Sequence, residues 1–192
     1  ITMSTFMFHH PHLVQSFGMI VDAQRGAAYL VMELADGSLK SLIQNPTTRL
    51  STKQLVSMAC DCASAMEYLA SKHIVHRDLA LRNILYWDKR KMKEGGNGGG
   101  DGGGEIVVKI SDFGLSTTLE QSHGINYDQA IEWTAPEVMR DRRSFSEKSD
   151  VWSFGVTMWE MFNHGSSPSL ASLYPETDSQ GKTITDSKGN TT

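Results

Sequence analysis

The sequence has few cysteines and no long apolar run. Its only cysteines are Cys60 and Cys62, and residues two apart on a helix point in different directions, so a disulfide framework is excluded. No apolar stretch approaches the length of a membrane span, and the start carries no signal-peptide pattern. The cysteine usage fits a reducing compartment, and we expect the chain to lie in the cytoplasm, either by itself or as the intracellular part of a receptor.

Clusters of basic residues are also lacking. The chain has 18 Lys and Arg against 22 Asp and Glu, a formal net charge of −4. This balance argues against nucleic acid or an anionic membrane surface as the main partner. The chain begins with Ile1 rather than Met, so we expect further residues to precede it in the natural protein.

Two polar stretches account for much of the low apolar fraction of 39%. Residues 95–104 contain eight glycines, with Asn97 and Asp101 as the only others. A formal G-x-G-x-x-G match in this run is expected by chance, so the composition predicts a flexible hairpin insertion. Residues 169–192 show no periodic apolar face and are predicted to be a disordered tail.

Between these stretches, the pattern of apolar residues predicts an alternation of strands and helices. Ser38 is placed to cap a short helix from Leu39, and Ser51 with Gln54 forms a capping box for a helix that reaches about Lys72. Strands are predicted at Leu13–Val21, Ala27–Leu34, Ile84–Tyr86 and Ile106–Ile110. Residues Ser149–Phe162 are apolar almost all round and predict a buried helix.

Three motifs carry the functional information. The first runs from His76 to Asn83 and reads His-Arg-Asp-Leu-Ala-Leu-Arg-Asn. The second ends in Asp112-Phe113-Gly114. The third is Trp133-Thr134-Ala135-Pro136-Glu137, followed by the Asp-Val-Trp-Ser-Phe-Gly run that starts at Asp150. Any one motif could arise by chance, but all three in this order are specific.

In this order the motifs resemble the catalytic loop, metal-binding loop and substrate-platform motif of a protein tyrosine kinase domain. The resemblance covers residues 10–168 and implies an α+β, protein-kinase-like fold of two lobes, with a partial N-lobe sheet and a mostly helical C-lobe. Residues 1–35 would be the remnant of the N-lobe and the hinge, and residues 36–168 the C-lobe, interrupted by the glycine-rich insertion.

The same resemblance implies ATP as phosphate donor and Mg²⁺ as cofactor. Asp78 would accept the proton of the substrate hydroxyl, while Asn83 and Asp112 would give Mg²⁺ a neutral and a charged oxygen. Arg77 would pair with a phosphate on the activation segment, residues 115–134, and Asp150 would hold the catalytic loop from the buried helix. In the nucleotide site, Met32 would be the gatekeeper and Leu85 a residue of the pocket. The backbone of the hinge, Glu33-Leu34-Ala35, would meet adenine.

The acceptor is expected to be tyrosine. Serine/threonine kinases place a lysine two residues after the catalytic aspartate, whereas this chain has Ala80 there and Arg82 four residues after it. Trp133 before Thr-Ala-Pro-Glu also resembles the tyrosine kinase pattern. The expected partners are proteins with an acceptor tyrosine, and regulatory domains outside this sequence.

The resemblance is incomplete at both ends. The glycine-rich loop, strand lysine and helix glutamate of a kinase would all precede His10, and no acidic residue occurs before Asp22. Since losing one preorganised stabilising group costs about 10²–10³ in rate, we expect this chain by itself to be weakly active or inactive. Two alternatives stay open: a pseudokinase-type regulatory binding module, and a serine/threonine kinase of the tyrosine-kinase-like branch.

Overall fold

The computed structural model describes residues 8–22, 24–89, 106–112 and 131–168. These residues form two small antiparallel sheets and several helices, which confirms the predicted α+β class. The strands are β1 (Ser16–Asp22), β2 (Ala27–Met32), β3 (Gly37–Ser38), β4 (Ile84–Asp88) and β5 (Ile106–Ile110). The helices are α1 (Leu39–Gln44), α2 (Thr52–Ser71), α3 (Pro136–Arg140) and α4 (Glu147–Phe162), with short 3-10 turns at Leu81–Asn83 and Ile131–Trp133.

Strands β1 and β2 form a hairpin that is shorter than the sequence predicted. The pairing runs from Ser16 opposite Met32 to Asp22 opposite Ala27. Leu13 is not part of it, because Leu13 instead forms a parallel bridge with Ile110 and is buried in the main core. At the other end the chain leaves the hairpin after Met32 to reach β3, and Leu34 is 91% exposed.

The second sheet has the order β3-β4-β5. Gly37 pairs with Tyr86, and β4 pairs with β5 from Ile84 opposite Ile110 to Asp88 opposite Ile106. Strand β4 therefore continues two residues beyond the predicted end at Tyr86. The segment predicted only to cap α1 does so, since the Ser38 hydroxyl accepts from Ser41 N, but its backbone also pairs with β4.

The main core lies between this sheet and helices α1, α2 and α4. Helix α2 begins at the predicted capping box, with Ser51 accepting from Gln54 N and Gln54 accepting from Ser51 N. Its inner face packs on β5 and α4, as the helical spacing of its apolar residues predicted. The buried members include Leu39, Met58, Cys62, Leu69, Leu79, Leu81, Ile84, Val108, Ile110 and Met161.

Helix α4 begins at Glu147 behind a second capping box, and its predicted burial all round is wrong. Val151 is 69% exposed, Trp159 40% and Phe162 44%. The buried face is rich in polar residues instead: Ser149, Asp150, Ser153, Thr157 and Glu160, beside Val156 and Met161. The reason is that this face lies against a loop whose backbone amides and carbonyls need partners. Asp150 and Glu160 accept from its amides, and Thr157 donates to one of its carbonyls.

Among the helices of the described ranges, none combines the length and the apolar character that crossing a membrane requires.

Candidate active site

The loop of residues 76–83 is held at its start by α4. The two carboxylate oxygens of Asp150 accept from His76 N at 2.6 Å and from Arg77 N at 2.9 Å. Arg77 has φ = +73°, a left-handed conformation that is costly for a side chain other than glycine and needs support from its surroundings. Asp150 is buried, and this burial raises the pKa of its carboxyl, against the opposing effect of the two amide hydrogen bonds.

Two further residues of α4 bind the same loop, and neither was predicted from the sequence. Thr157 Oγ1 donates to Leu79 O at 3.2 Å, and Leu81 N donates to Glu160 Oε2 at 3.0 Å. Glu160 is fully buried, and its other oxygen lies 3.2 Å from Lys40 Nζ of α1 in an ion pair without hydrogen-bond geometry. The available signal was a glutamate inside a helix predicted to be buried, since a buried charge needs a partner.

The ring of His76 joins the loop to the end of β5. Asp78 N donates to His76 Nδ1 at 3.2 Å, which leaves Nε2 to donate to Ser111 O at 3.0 Å. Ser111 also binds the other end of the loop, because its amide and its hydroxyl both donate to Asn83 O, at 2.8 and 2.9 Å. The residue that precedes Asp112 is therefore fixed to the loop that carries Asp78 and Asn83.

The carboxylate of Asp78 is oriented by two neighbours. Arg82 Nη2 donates to Asp78 Oδ1, and Asn83 Nδ2 donates to Asp78 Oδ2 at 2.8 Å and to Asp78 O at 2.7 Å. The guanidinium of Arg82 also lies 5.3 Å from the centre of the Trp133 ring, within the range of a cation–π contact. Both oxygens of the predicted catalytic aspartate are thus held in place.

The predicted metal ligands offer oxygen atoms of the kind that Mg²⁺ prefers. The amide nitrogen of Asn83 is used on Asp78, which leaves the amide oxygen to act as an acceptor. Asp112 is exposed and follows directly after Ser111, with φ = +58°. Since Mg²⁺ typically binds one or two protein oxygens together with phosphate and water, this donor set fits the ion.

The predicted hinge connects the hairpin to the second sheet. Glu33 N donates to Gln15 O at 3.0 Å, and the carboxylate of Glu33 accepts from Lys109 Nζ at 2.7 Å on each oxygen. The predicted gatekeeper, Met32, ends β2, and the predicted pocket residue Leu85 lies on β4, where it pairs with Ser38 and Lys109. Strand β4 begins directly after Asn83, and Tyr86 O of this strand accepts from Asp36 N, the residue after the hinge. The hinge and the loop of residues 76–83 therefore meet at the same sheet.

Arg77 reaches the ring of Phe145, with 5.3 Å between the guanidinium and the ring centre. Its predicted partner is a phosphate on the activation segment, and residues 115–130 of that segment lie outside the described residues. Phe113, the glycine-rich run 95–104 and the tail 169–192 lie outside them as well. The predictions for these segments stay predictions.

Comparison with known proteins gives consistent matches. The family described as protein tyrosine and serine/threonine kinase matches residues 2–188. The megakaryocyte-associated tyrosine-protein kinase of Rattus norvegicus is 40% identical over 162 residues, which cover 83% of this chain and 30% of that protein. Tyrosine-protein kinase csk-1 of Caenorhabditis elegans is 38% identical over 83% of the chain and 27% of its own length. Tyrosine-protein kinase Fer of Homo sapiens is 38% identical over 84% of the chain and 18% of its own length. The chain therefore spans less than a third of each of these relatives.

Proposed function

We propose that this chain, which belongs to the protein tyrosine and serine/threonine kinase family, is part of a protein tyrosine kinase that transfers the γ-phosphate of ATP to tyrosine hydroxyls of proteins. In this proposal residues 1–35 supply the hinge side of the small lobe and residues 36–168 belong to the large lobe. The observation that carries the proposal is the fixed carboxylate of Asp78, on a loop bonded at both ends to its surroundings.

Asp78 is the proposed catalytic base. Its ion pair with Arg82 and its hydrogen bond from Asn83 fix the carboxylate in one orientation, ready to accept a hydrogen bond from the substrate hydroxyl. As the bond from the phenol oxygen to the γ-phosphorus forms and the bond to the β,γ-bridging oxygen breaks, the phenol proton passes to Asp78. Positioning of this kind is the main protein contribution to phosphoryl transfer.

Asn83 and Asp112 are the proposed ligands of Mg²⁺, through the amide oxygen and the carboxylate. When bound, Mg²⁺ neutralises charge on the phosphates. The hydrogen bonds of Ser111 to Asn83 O keep the chain before Asp112 next to Asn83, so the two ligands stay together. The hinge, residues 33–35, is proposed to meet adenine through its backbone, with Met32 and Leu85 beside it.

The preference for tyrosine is proposed from Arg82 and the named relatives. Arg82, four residues after the aspartate, bridges Asp78 and the face of Trp133. The position two residues after the aspartate, where a serine/threonine kinase has lysine, is Ala80. A phenol holds its hydroxyl further from the backbone than a serine does, so a cation at this more distant position suits it. Proteins with an accessible tyrosine are the proposed substrates.

We also propose that the kinase acts in the cytoplasm, where ATP is present and thiols stay reduced. Both cysteines are free, Cys60 at the surface and Cys62 in the core.

The activity is tested by Asp78→Asn in the full-length protein, with a tyrosine peptide and Mg-ATP. Removing the base should lower kcat by about 10²–10⁴-fold and leave ATP affinity nearly unchanged, because Asp78 does not bind the nucleotide. Asp141→Asn is the matched control, since Asp141 is exposed and its carboxylate pairs with Arg143, two residues away, at a distance from the loop of residues 76–83 along the chain. Equal turnover by the Asp78 variant and the unsubstituted protein would contradict the proposal.

The two alternatives predict different results in the same system. A pseudokinase-type binding module should show no dependence of nucleotide binding on Mg²⁺, whereas Asn83 and Asp112 predict a clear dependence. A serine/threonine kinase should prefer a peptide with serine at the acceptor position over an otherwise identical tyrosine peptide. The 192-residue chain tested alone should transfer phosphate weakly or not at all, because the groups expected before His10 are not in it.

A further inference from the structure

The side chain of Trp87 on β4 is bonded to the hinge. Its indole Nε1 donates to the carbonyl oxygen of Leu34 at 2.7 Å, and Trp87 itself is only 8% exposed. We propose that Trp87 is a positioning residue for the nucleotide: it fixes the peptide group between Leu34 and Ala35 so that the Ala35 amide is directed toward adenine. This inference rests on the proposed function, since it deepens the role of the hinge.

The geometry of the peptide bond makes the connection. The Leu34–Ala35 peptide is trans, and a trans peptide is planar, so its C=O and N–H point in opposite directions. Fixing Leu34 O on the β4 side therefore directs Ala35 N–H to the opposite side of the hinge. Among the described residues, Glu33 N and Asp36 N donate to backbone carbonyls, of Gln15 and Tyr86, while no such bond is shown for Ala35 N.

Trp87 is well placed to hold one orientation, because its ring is itself restrained. Lys109 Nζ lies 5.0 Å from the ring centre and at 2.7 Å from both oxygens of Glu33. The indole thus packs below an ion pair that already joins β5 to the first hinge residue. Leu34, whose carbonyl Trp87 binds, is 91% exposed and supplies little packing of its own. Because Glu33 N and Asp36 N anchor only the residues on either side, the indole N–H is the bond that sets the orientation of the Leu34–Ala35 peptide itself.

The experiment compares ligands that share or lack adenine, in the full-length protein. Trp87→Phe keeps an aromatic ring and removes the N–H donor. Dissociation constants for Mg-ATP, ADP and adenosine should each rise about 3- to 10-fold, the range of one neutral hydrogen bond, while that for Mg-tripolyphosphate stays unchanged. In turnover assays KM for ATP should rise by the same factor with kcat unchanged.

Two further variants separate this role from general damage. Replacing Trp87 by 3-benzothienylalanine keeps the size and shape of the indole but puts sulfur in place of N–H, and it should weaken adenosine binding as Trp87→Phe does. Trp159→Phe, at a partly exposed position on α4, should weaken no ligand.

The outcomes distinguish this inference from the proposed function. If the unsubstituted protein binds no adenine nucleotide, the proposed function and the inference both fail. If it binds ATP and the benzothienyl variant binds adenosine equally well, the inference alone is overturned. An equal loss of affinity for tripolyphosphate would also overturn it, because the effect would then not act through the hinge.

Discussion

We expect the replacement of Asp150 by Asn to show that α4 sets the backbone of the loop of residues 76–83. Asp150 uses one oxygen for His76 N and the other for Arg77 N, whereas Asn has one acceptor oxygen, so one buried amide would face an NH₂ group. A buried donor without an acceptor costs about 1–3 kcal/mol. Relief of the buried charge offsets part of this cost, and we expect a net loss of about 2 kcal/mol in the free energy of unfolding.

Urea unfolding followed by tryptophan fluorescence measures the effect. With an m-value of about 2 kcal/mol/M, the loss corresponds to a midpoint lower by roughly 1 M at unchanged m. The turnover number should fall as well, since Arg77 needs support for its left-handed backbone (φ = +73°) and Asp78 follows it directly. Asp141→Asn serves as control and should leave the midpoint nearly unchanged. An Asp150→Asn protein with the midpoint and the kcat of the unsubstituted protein would refute the reasoning.

The difference in the free energy of unfolding between the unsubstituted protein and Asp150→Asn should depend on pH with a definite sign. Burial raises the pKa of Asp150 in the folded state above its ordinary value of 3.8. As the pH rises above 3.8, the unfolded chain releases this proton before the folded one does, so the contribution of Asp150 to stability falls with rising pH until the folded pKa is passed. The stability advantage of the unsubstituted protein over Asp150→Asn should therefore be largest at low pH and narrow as the pH rises. An advantage that grows with pH would contradict the assigned direction.

Two other predictions concern buried groups. Burial, with a contribution from Asp61, raises the pKa of Cys62 to about 12. Iodoacetamide at pH 8 should therefore alkylate the exposed Cys60 and spare Cys62 in the folded protein. Mass spectrometry of the peptides measures the labelling, and similar rates at both cysteines would contradict this prediction. Lys40→Met should destabilise the protein by about 2–3 kcal/mol, because it leaves the charge of Glu160 buried without a cation, and it should cost less in a Glu160→Gln background. Equal costs in the two backgrounds, measured as urea midpoints, would show that the pair is not coupled.

Local signals in the sequence were sufficient for most of the helices and strands. The capping box at Ser51 placed the start of α2 correctly, because the two reciprocal hydrogen bonds involve only neighbouring residues. The three motifs placed Asp78, Asn83 and the chain before Asp112 together, and the hydrogen bonds of Ser111 are consistent with that placement. The roles of these residues stay predictions until activity is measured.

Contacts between distant segments could not be predicted in the same way. Hydropathy alone would turn the apolar residues of α4 inward, yet Val151 is exposed and Glu160 is buried, because the neighbouring loop requires hydrogen-bond acceptors. Leu13 looked like the start of a strand, and its actual partner, Ile110, lies far along the chain. The bond from Trp87 to Leu34 likewise joins residues with no local pattern in common. Such pairs depend on the tertiary arrangement, which no sequence window contains.

Helix α4 has a consequence for redesign of the acceptor preference. Asp150 and Glu160 bind main-chain amides of the loop, and Thr157 binds a main-chain carbonyl. The path of the loop is thus set in part by a helix elsewhere in the sequence, beside the hydrogen bonds that His76 and Asn83 make within the loop. Exchanging the partly exposed Arg82 should therefore leave this backbone path in place, although the carboxylate of Asp78 would lose its ion pair. A grafted loop sequence should keep the same path where it retains His76 and Asn83.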